Sequence, residues 1–204
     1  MHKRDLSSFF ELPLNADMSD TYIQSYPHLL AFFAGKKTIS STDFVCASHM
    51  VYGWMPTILK LYPETPGNFD HEATLLNRAR RGDDLSVKEL ERLTETINHS
   101  LVGASKVLHF VAPERYAIWD SRVYAFLYTS TPLNQSVTRP QHDQVNRIDR
   151  FQHYQNLLRE MTADPVFALF HRRVQNAVGN VSPVRAIELV MYDNSPPFKT
   201  KEKS

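Results

Sequence analysis

The chain has one cysteine, Cys46, in 204 residues, which excludes an internal disulfide framework and any cluster held by several cysteines of this chain. No apolar run approaches the roughly 18 residues that a membrane span needs. The opening stretch MHKRDLSSFF also lacks the apolar core of a secretion signal. Together these absences predict a cytoplasmic protein with no membrane partner. Charge of one sign is lacking too, since 23 Lys and Arg face 22 Asp and Glu for a formal net charge of +1. No global basic field announces nucleic acid, and any such contact must come from local patches. A glycine-rich phosphate loop, a GxSxG elbow and an HExxH pair are all missing. That argues against nucleotide hydrolysis, serine hydrolase chemistry and a zinc site, and no metal or cofactor is expected. No internal repeat or low-complexity segment is found.

What is present is an ordinary globular composition, 42% hydrophobic and 22% charged, rich in helix punctuation. Ser86-Val87-Lys88-Glu89 has the spacing of a capping box, followed by a stripe of Val87, Leu90, Leu93, Ile97 and Leu101. Asp164-Pro165 offers an N-cap with proline at the first helical position, the apolar set Val166, Leu169, Phe170, Val174 and Val178 follows, and Gly179 can close the helix. Ser182-Pro183 starts a last helix carrying Val184, Ile187 and Val190. Helices are also expected from Thr21 to Phe33, from Thr42 to Tyr52, from about Glu72, and through Val145, Ile148, Phe151 and Leu158. Pro56 and the PETPG segment break the pattern, and Thr129 to Asp143 reads as a surface loop. The fold class is therefore all-α: one compact helical domain over 1–194, with two lobes and a cleft as an option, and a mobile polar tail over 195–204.

The most chemical stretch is LVGASKVLHFVAPERYAIWDSRVYAFLY, Leu101 to Tyr128. Lys106 sits among Val102, Val107, Leu108 and Val111. Asp120 follows Ile118-Trp119, precedes Val123, Phe126 and Leu127, and is placed to accept from the free amides of a helix start. Apolar surroundings disfavour the charged form of an ionisable group, the condition under which a lysine acts as an amine nucleophile and a carboxylate as a base. Pro113 ends the helix bearing Lys106, and Glu114-Arg115-Tyr116 can turn the chain back.

From about Leu85 to Tyr128 this pattern resembles the helix-hairpin-helix DNA glycosylase superfamily, which includes the alkyladenine and 8-oxoguanine glycosylases. A helix leads through the small-residue stretch Ser100 to Ser105 into Lys106, then an apolar helix, then Trp119-Asp120-Ser121-Arg122-Val123. The resemblance implies a two-lobed helical bundle, in a version without an iron–sulfur centre, that takes a damaged or modified base out of duplex DNA. Asp120 would match the aspartate at the mouth of the base pocket and Lys106 the lysine that some members add after the hairpin. Hairpin amides, with Gly103 and Ser105 in this stretch, would hold a phosphate. Trp119, Tyr116, His109 and Arg122 stand close enough in sequence to contact the substrate, Trp119 immediately before Asp120, although core packing accounts better for Tyr116 and a satisfied core histidine for His109. The alternatives are a non-catalytic helical module that binds DNA or a protein and, more distantly, a helical ribonuclease, because Arg147 and His153 have a spacing found in some of those. Arg78, Arg80, Arg81, Arg147, Arg150, Arg172 and Arg173 could touch phosphates, although a solvated helix face accounts better for each of them.

Overall fold

The structure is a computed structural model and describes residues 6–15, 17, 19–55 and 57–199. The break expected at Pro56 lies outside them. Among the described residues ten α-helices and one short 3-10 turn, Phe9–Glu11, make an all-α fold, and extended pairing is confined to two isolated bridges, Leu61 with Ile97 and Val137 with Phe198. None of these helices is long and apolar enough to cross a membrane. The chain divides into two compact units, one spanning Asp17–Ile118 and the other combining residues 1–16 with 119–204.

The first unit holds α1 (Thr21–Ala34), α2 (Ser41–Trp54), α3 (Asp70–Arg81), α4 (Val87–Thr96) and α5 (Leu101–Val111). All four preceding helices pack on α5, whose Leu101, Ala104, Val107, Leu108 and Phe110 are at most 1% exposed. Full burial of the leucine, valine and phenylalanine side chains among these stabilises by about 1.5–3 kcal/mol each, which makes α5 the core of the unit. The Ser86 box forms as its spacing predicts, with Glu89 N donating to Ser86 Oγ and Ser86 N to the Glu89 carboxylate. The predicted stripe does not stay on one helix, however. The chain turns over Ile97–Ser100, where Asn98 (φ 59°) and His99 (φ 49°) take the left-handed conformation, and α5 begins at Leu101. Val87, the first residue of the stripe, is 43% exposed.

A second capping box starts α2, where Asp43 accepts from Ser40 N while Lys36 Nζ stands 2.6 Å from its other oxygen. The Lys36 ammonium, helped by the Ser40 amide and hydroxyl, holds the Asp43 carboxyl down at about 2. A carboxyl lowered by folding stabilises the fold above its unfolded pKa and stops doing so as pH falls through the folded one, so this contribution should fade between about pH 4 and pH 2. The pair lies near the surface, where solvent screening limits its worth to under about 1 kcal/mol. We expect Lys36→Met to flatten the stability profile in that window while changing neutral stability little, as read by urea midpoints across pH.

The second unit holds α6 (Ser121–Tyr128), α7 (His142–Val145), α8 (Ile148–Thr162), α9 (Phe167–Val178) and α10 (Pro183–Asp193). Helices α6, α8 and α9 pack on α10, and Phe9 fits against Phe126 and Phe170 with ring centroids 5.9 and 5.6 Å away. Three expectations change here. The helix foreseen through Val145 and Ile148 is two, separated at Asn146 and Arg147. Asp164 caps a tight turn, accepting from Val166 N through its side chain and from Phe167 N through its carbonyl, and the α-helix starts at Phe167. As a result Val166 and Leu169 are exposed, and Phe167, Phe170, Val174 and Val178 form the buried face. The segment read as a mobile tail begins docked: Ser195 and Pro196 are buried, Val137 N donates to Pro197 O, and Lys199 N donates back to Val137 O. Residues 200–204 lie outside the described residues.

Candidate functional site

Asp120 is the N-cap of α6. Its extended backbone (φ −154°, ψ −177°) lets Oδ1 accept from both Arg122 N at 2.8 Å and Val123 N at 3.0 Å. The half-buried side chain therefore anchors one oxygen in the helix start, and Oδ2 has no hydrogen bond among the described residues. A carboxylate fixed in this way has a preset direction and a second oxygen on which to accept a proton or face positive charge.

The residues around it do different work from that foreseen. Trp119 is 0% exposed, its indole N–H donates to Val145 O at 2.8 Å, and its ring lies 5.3 Å from Tyr154, so it packs the core and does not line a pocket. Arg122, half-buried, stacks its guanidinium over Tyr192 at 4.9 Å and reaches Ser195 Oγ at 3.4 Å, which ties α6 to the docked segment after α10. Sequence reasoning missed the polar groups behind the cap. Tyr154 is fully buried and its hydroxyl has no hydrogen bond among the described residues. Burial first, then Glu188 and Asp120, pushes that phenol well above its ordinary range, and Arg185 opposes the shift. Arg185 and Glu188 form a buried ion pair one helical turn apart on α10. The Val184, Ile187, Val190 stripe gave no signal for them, because at about 100° per residue Arg185 falls on the far side of the helix and Glu188 off the stripe.

In the other unit, Lys106 belongs to the second turn of α5 and holds its Nζ 5.5 Å from the centre of the Trp54 ring, within cation–π range. The stretch Ser100 to Ser105, expected as the hairpin turn, is the Ser100 cap followed by helix. Gly103 N donates to Ser100 Oγ at 3.2 Å, which occupies an amide foreseen as a phosphate donor. Ser105 is fully buried and donates to Val102 O. Gly103 is instead required by packing, because a Cβ there would stand 2.8 Å from Tyr52 Cε2 and 2.9 Å from Cζ, with the hydroxyl nearer still. Gly103→Ala should therefore cost about 1–3 kcal/mol. Partial recovery is expected when Tyr52→Phe removes the hydroxyl, a pairing readable from denaturant unfolding of the double variant.

His109 is buried at 0% exposure. Its Nδ1 lies 2.6 Å from Tyr116 O, and a carbonyl only accepts, so Nδ1 carries the proton and Nε2 accepts from the Tyr26 hydroxyl at 2.8 Å. Both ring nitrogens are thus engaged within the protein, and His109 joins α1 to the chain after α5, the satisfied core histidine that its apolar neighbours suggested rather than a substrate contact. Tyr116 is likewise core: 5% exposed, it accepts from Leu85 N at 3.3 Å and donates to Asp83 O at 3.4 Å. Burial pushes its phenol up.

Of the arginines foreseen on phosphates, Arg78 pairs with Glu89 and Asp83, and Arg147 with Asp149. His153 takes a 2.7 Å hydrogen bond with the Tyr128 hydroxyl. Among the described residues no cluster of three or more His, Cys, Asp or Glu is placed to hold a metal ion. No protein-family model, curated protein or solved structure matches the chain.

Proposed function

We propose that the protein removes a damaged or modified base from DNA, with Asp120 as the group that serves the reaction at C1′. The observation that carries this reading is the division of labour within the Asp120 carboxylate, in which Oδ1 takes both helix-start amides and Oδ2 takes none. In a hydrolytic reaction a water proton passes to Asp120 as the water oxygen bonds to C1′, and the electron pair of the glycosidic bond leaves with the base. In a lyase variant the Lys106 amine bonds to C1′ in place of water as the base leaves, an amine proton passes to solvent, the C1′–O4′ bond opens with O4′ taking a proton, and the resulting iminium is trapped by borohydride. Either route needs the nucleotide rotated out of the duplex.

The test is a base-release screen of the purified chain on duplexes carrying oxidised, alkylated, deaminated and hypermodified bases. Abasic sites formed from at least one class are the expected result. Binding of such duplexes with no base released from any of them would sink the enzyme reading. It would favour the non-catalytic module, which the core packing of Trp119, His109 and Tyr116 independently suits. Borohydride trapping that survives in Lys106→Ala would remove Lys106 as the nucleophile.

A further inference from the structure

The segment after α10 returns to α6 by a path that its backbone fixes. Val137 N donates to Pro197 O at 2.8 Å and Lys199 N donates to Val137 O at 2.9 Å, so both peptide groups flanking Phe198 are held by one buried residue. The pinned Phe198 ring then meets two guanidinium groups, with Arg139 Cζ 5.1 Å and Arg122 Cζ 6.0 Å from its centre. Arg122 also stacks over Tyr192 at 4.9 Å. Lys199, exposed and next in the chain, adds a third positive charge.

None of these three cations pairs with a carboxylate among the described residues, whereas Arg78, Arg92, Arg115, Arg147 and Arg185 each do. Like charges gathered without a counter-charge repel one another, and an anion that sits among them removes the repulsion. Stacking decides how such an anion is met. An aromatic face holds a guanidinium plane still and leaves its in-plane N–H groups to donate. Arg122 uses one of them on Ser195 Oγ at 3.4 Å, and Arg139 makes no hydrogen bond among the described residues. We infer that Arg122, Arg139 and Lys199 form a binding site for the phosphates of a DNA backbone. In-plane pairs of donors match two phosphate oxygens at once. The choice of DNA over a free phosphate rests on the base-excision reading, since Arg122 belongs to the helix start that Asp120 caps and a backbone bound there is bound on the same turn as that carboxylate.

Binding of a short labelled duplex to the full chain, measured by anisotropy over a series of salt concentrations, tests the site. Arg122→Met and Arg139→Met should each weaken binding by about tenfold at low salt and lower the slope of log affinity against log salt by about one, as the loss of one phosphate contact requires. Phe198→Ala keeps every charge and should weaken binding by about threefold with the slope unchanged, because guanidinium groups no longer held in place must be ordered on binding. Arg172→Met, which removes an exposed charge from α9, should change neither. Inorganic phosphate alone should give no saturable shift of the Arg139 Nε–H signal in NMR, whereas the duplex does. Absence of duplex binding overturns the site. So does an equal fall in Arg172→Met, or an unchanged slope in Arg139→Met, whose exposed side chain can be lost without disturbing the fold. Saturable binding of inorganic phosphate without binding of the duplex overturns DNA as the ligand. Duplex binding that follows the expected pattern without base release leaves the site standing and removes the enzyme reading, whereas base release with affinity and slope intact in both arginine variants does the opposite.

Discussion

Asp120→Asn should abolish base release and leave the fold in place. An asparagine Oδ1 can accept from Arg122 N and Val123 N as the carboxylate does, and Asn and Asp serve about equally well as N-caps. The interaction of the negative charge with the helix dipole is lost, at roughly 0.3–1 kcal/mol. Chemistry suffers far more, because a neutral amide can neither take a proton from water nor face a developing oxocarbenium charge; a fall in rate of about 10²–10⁴ is expected. Single-turnover base release, read beside DNA binding and a melting curve for the same variant, checks both halves. An unchanged rate would take Asp120 out of the reaction. Asp120→Ala adds a second arm, since it removes the cap as well and should cost about 1 kcal/mol of stability on top of the lost activity.

The largest expected effect on stability lies elsewhere, in the buried carboxylate of Glu72. It is 0% exposed, and its Oε1 accepts from Arg92 Nε at 2.7 Å and Thr96 Oγ1 at 2.9 Å. Arg92→Met would leave this group inside the fold with only a threonine hydroxyl for company. Stranding one partner of a buried ion pair costs about 3–5 kcal/mol, a large share of a domain's total stability. The same arginine also meets Glu64, whose side chain is 74% exposed, and Glu64→Gln should cost under about 1 kcal/mol. Replacing both buried partners, as in Glu72→Leu with Arg92→Met, should recover most of the loss because no uncompensated charge remains. Urea midpoints with unchanged slopes would measure all three. A loss below about 1 kcal/mol in Arg92→Met would mean that the pair contributes no more than a surface bridge.

Local signals located many helix ends with good accuracy. Ser86 with Glu89, Ser182 before Pro183, and Asp120 before Arg122 and Val123 all cap as their spacing requires, because a cap is a contact between residues two or three apart and needs no distant partner. Periodicity failed where a turn preserved the apolar spacing. Leu93, Ile97 and Leu101 stay four apart across the chain reversal at Asn98 and His99, so counting could not see the break; asparagine, a residue that tolerates the left-handed conformation, was the available hint. The candidate site divided in a similar way. Asp120 was readable because capping is local, whereas Trp119, Tyr116 and His109 were selected for nearness in sequence and turned out to be core. Which face of a segment is buried depends on what packs against it.

An all-α architecture and the anchoring of Asp120 at a helix start thus follow from short-range chemistry already written in the chain. Tertiary packing alone decided that Gly103 must yield space to Tyr52, that His109 spends both nitrogens on Tyr26 and Tyr116, and that Glu72 is buried against Arg92. It also brought Tyr22 and Ser25 of α1 together with Trp54 of α2, across a separation of about 30 positions that no local pattern encodes. The physical reason is one of range: caps and helix propensity act within a turn or two of backbone, while burial and the pairing of polar groups within it depend on neighbours that only the folded chain supplies.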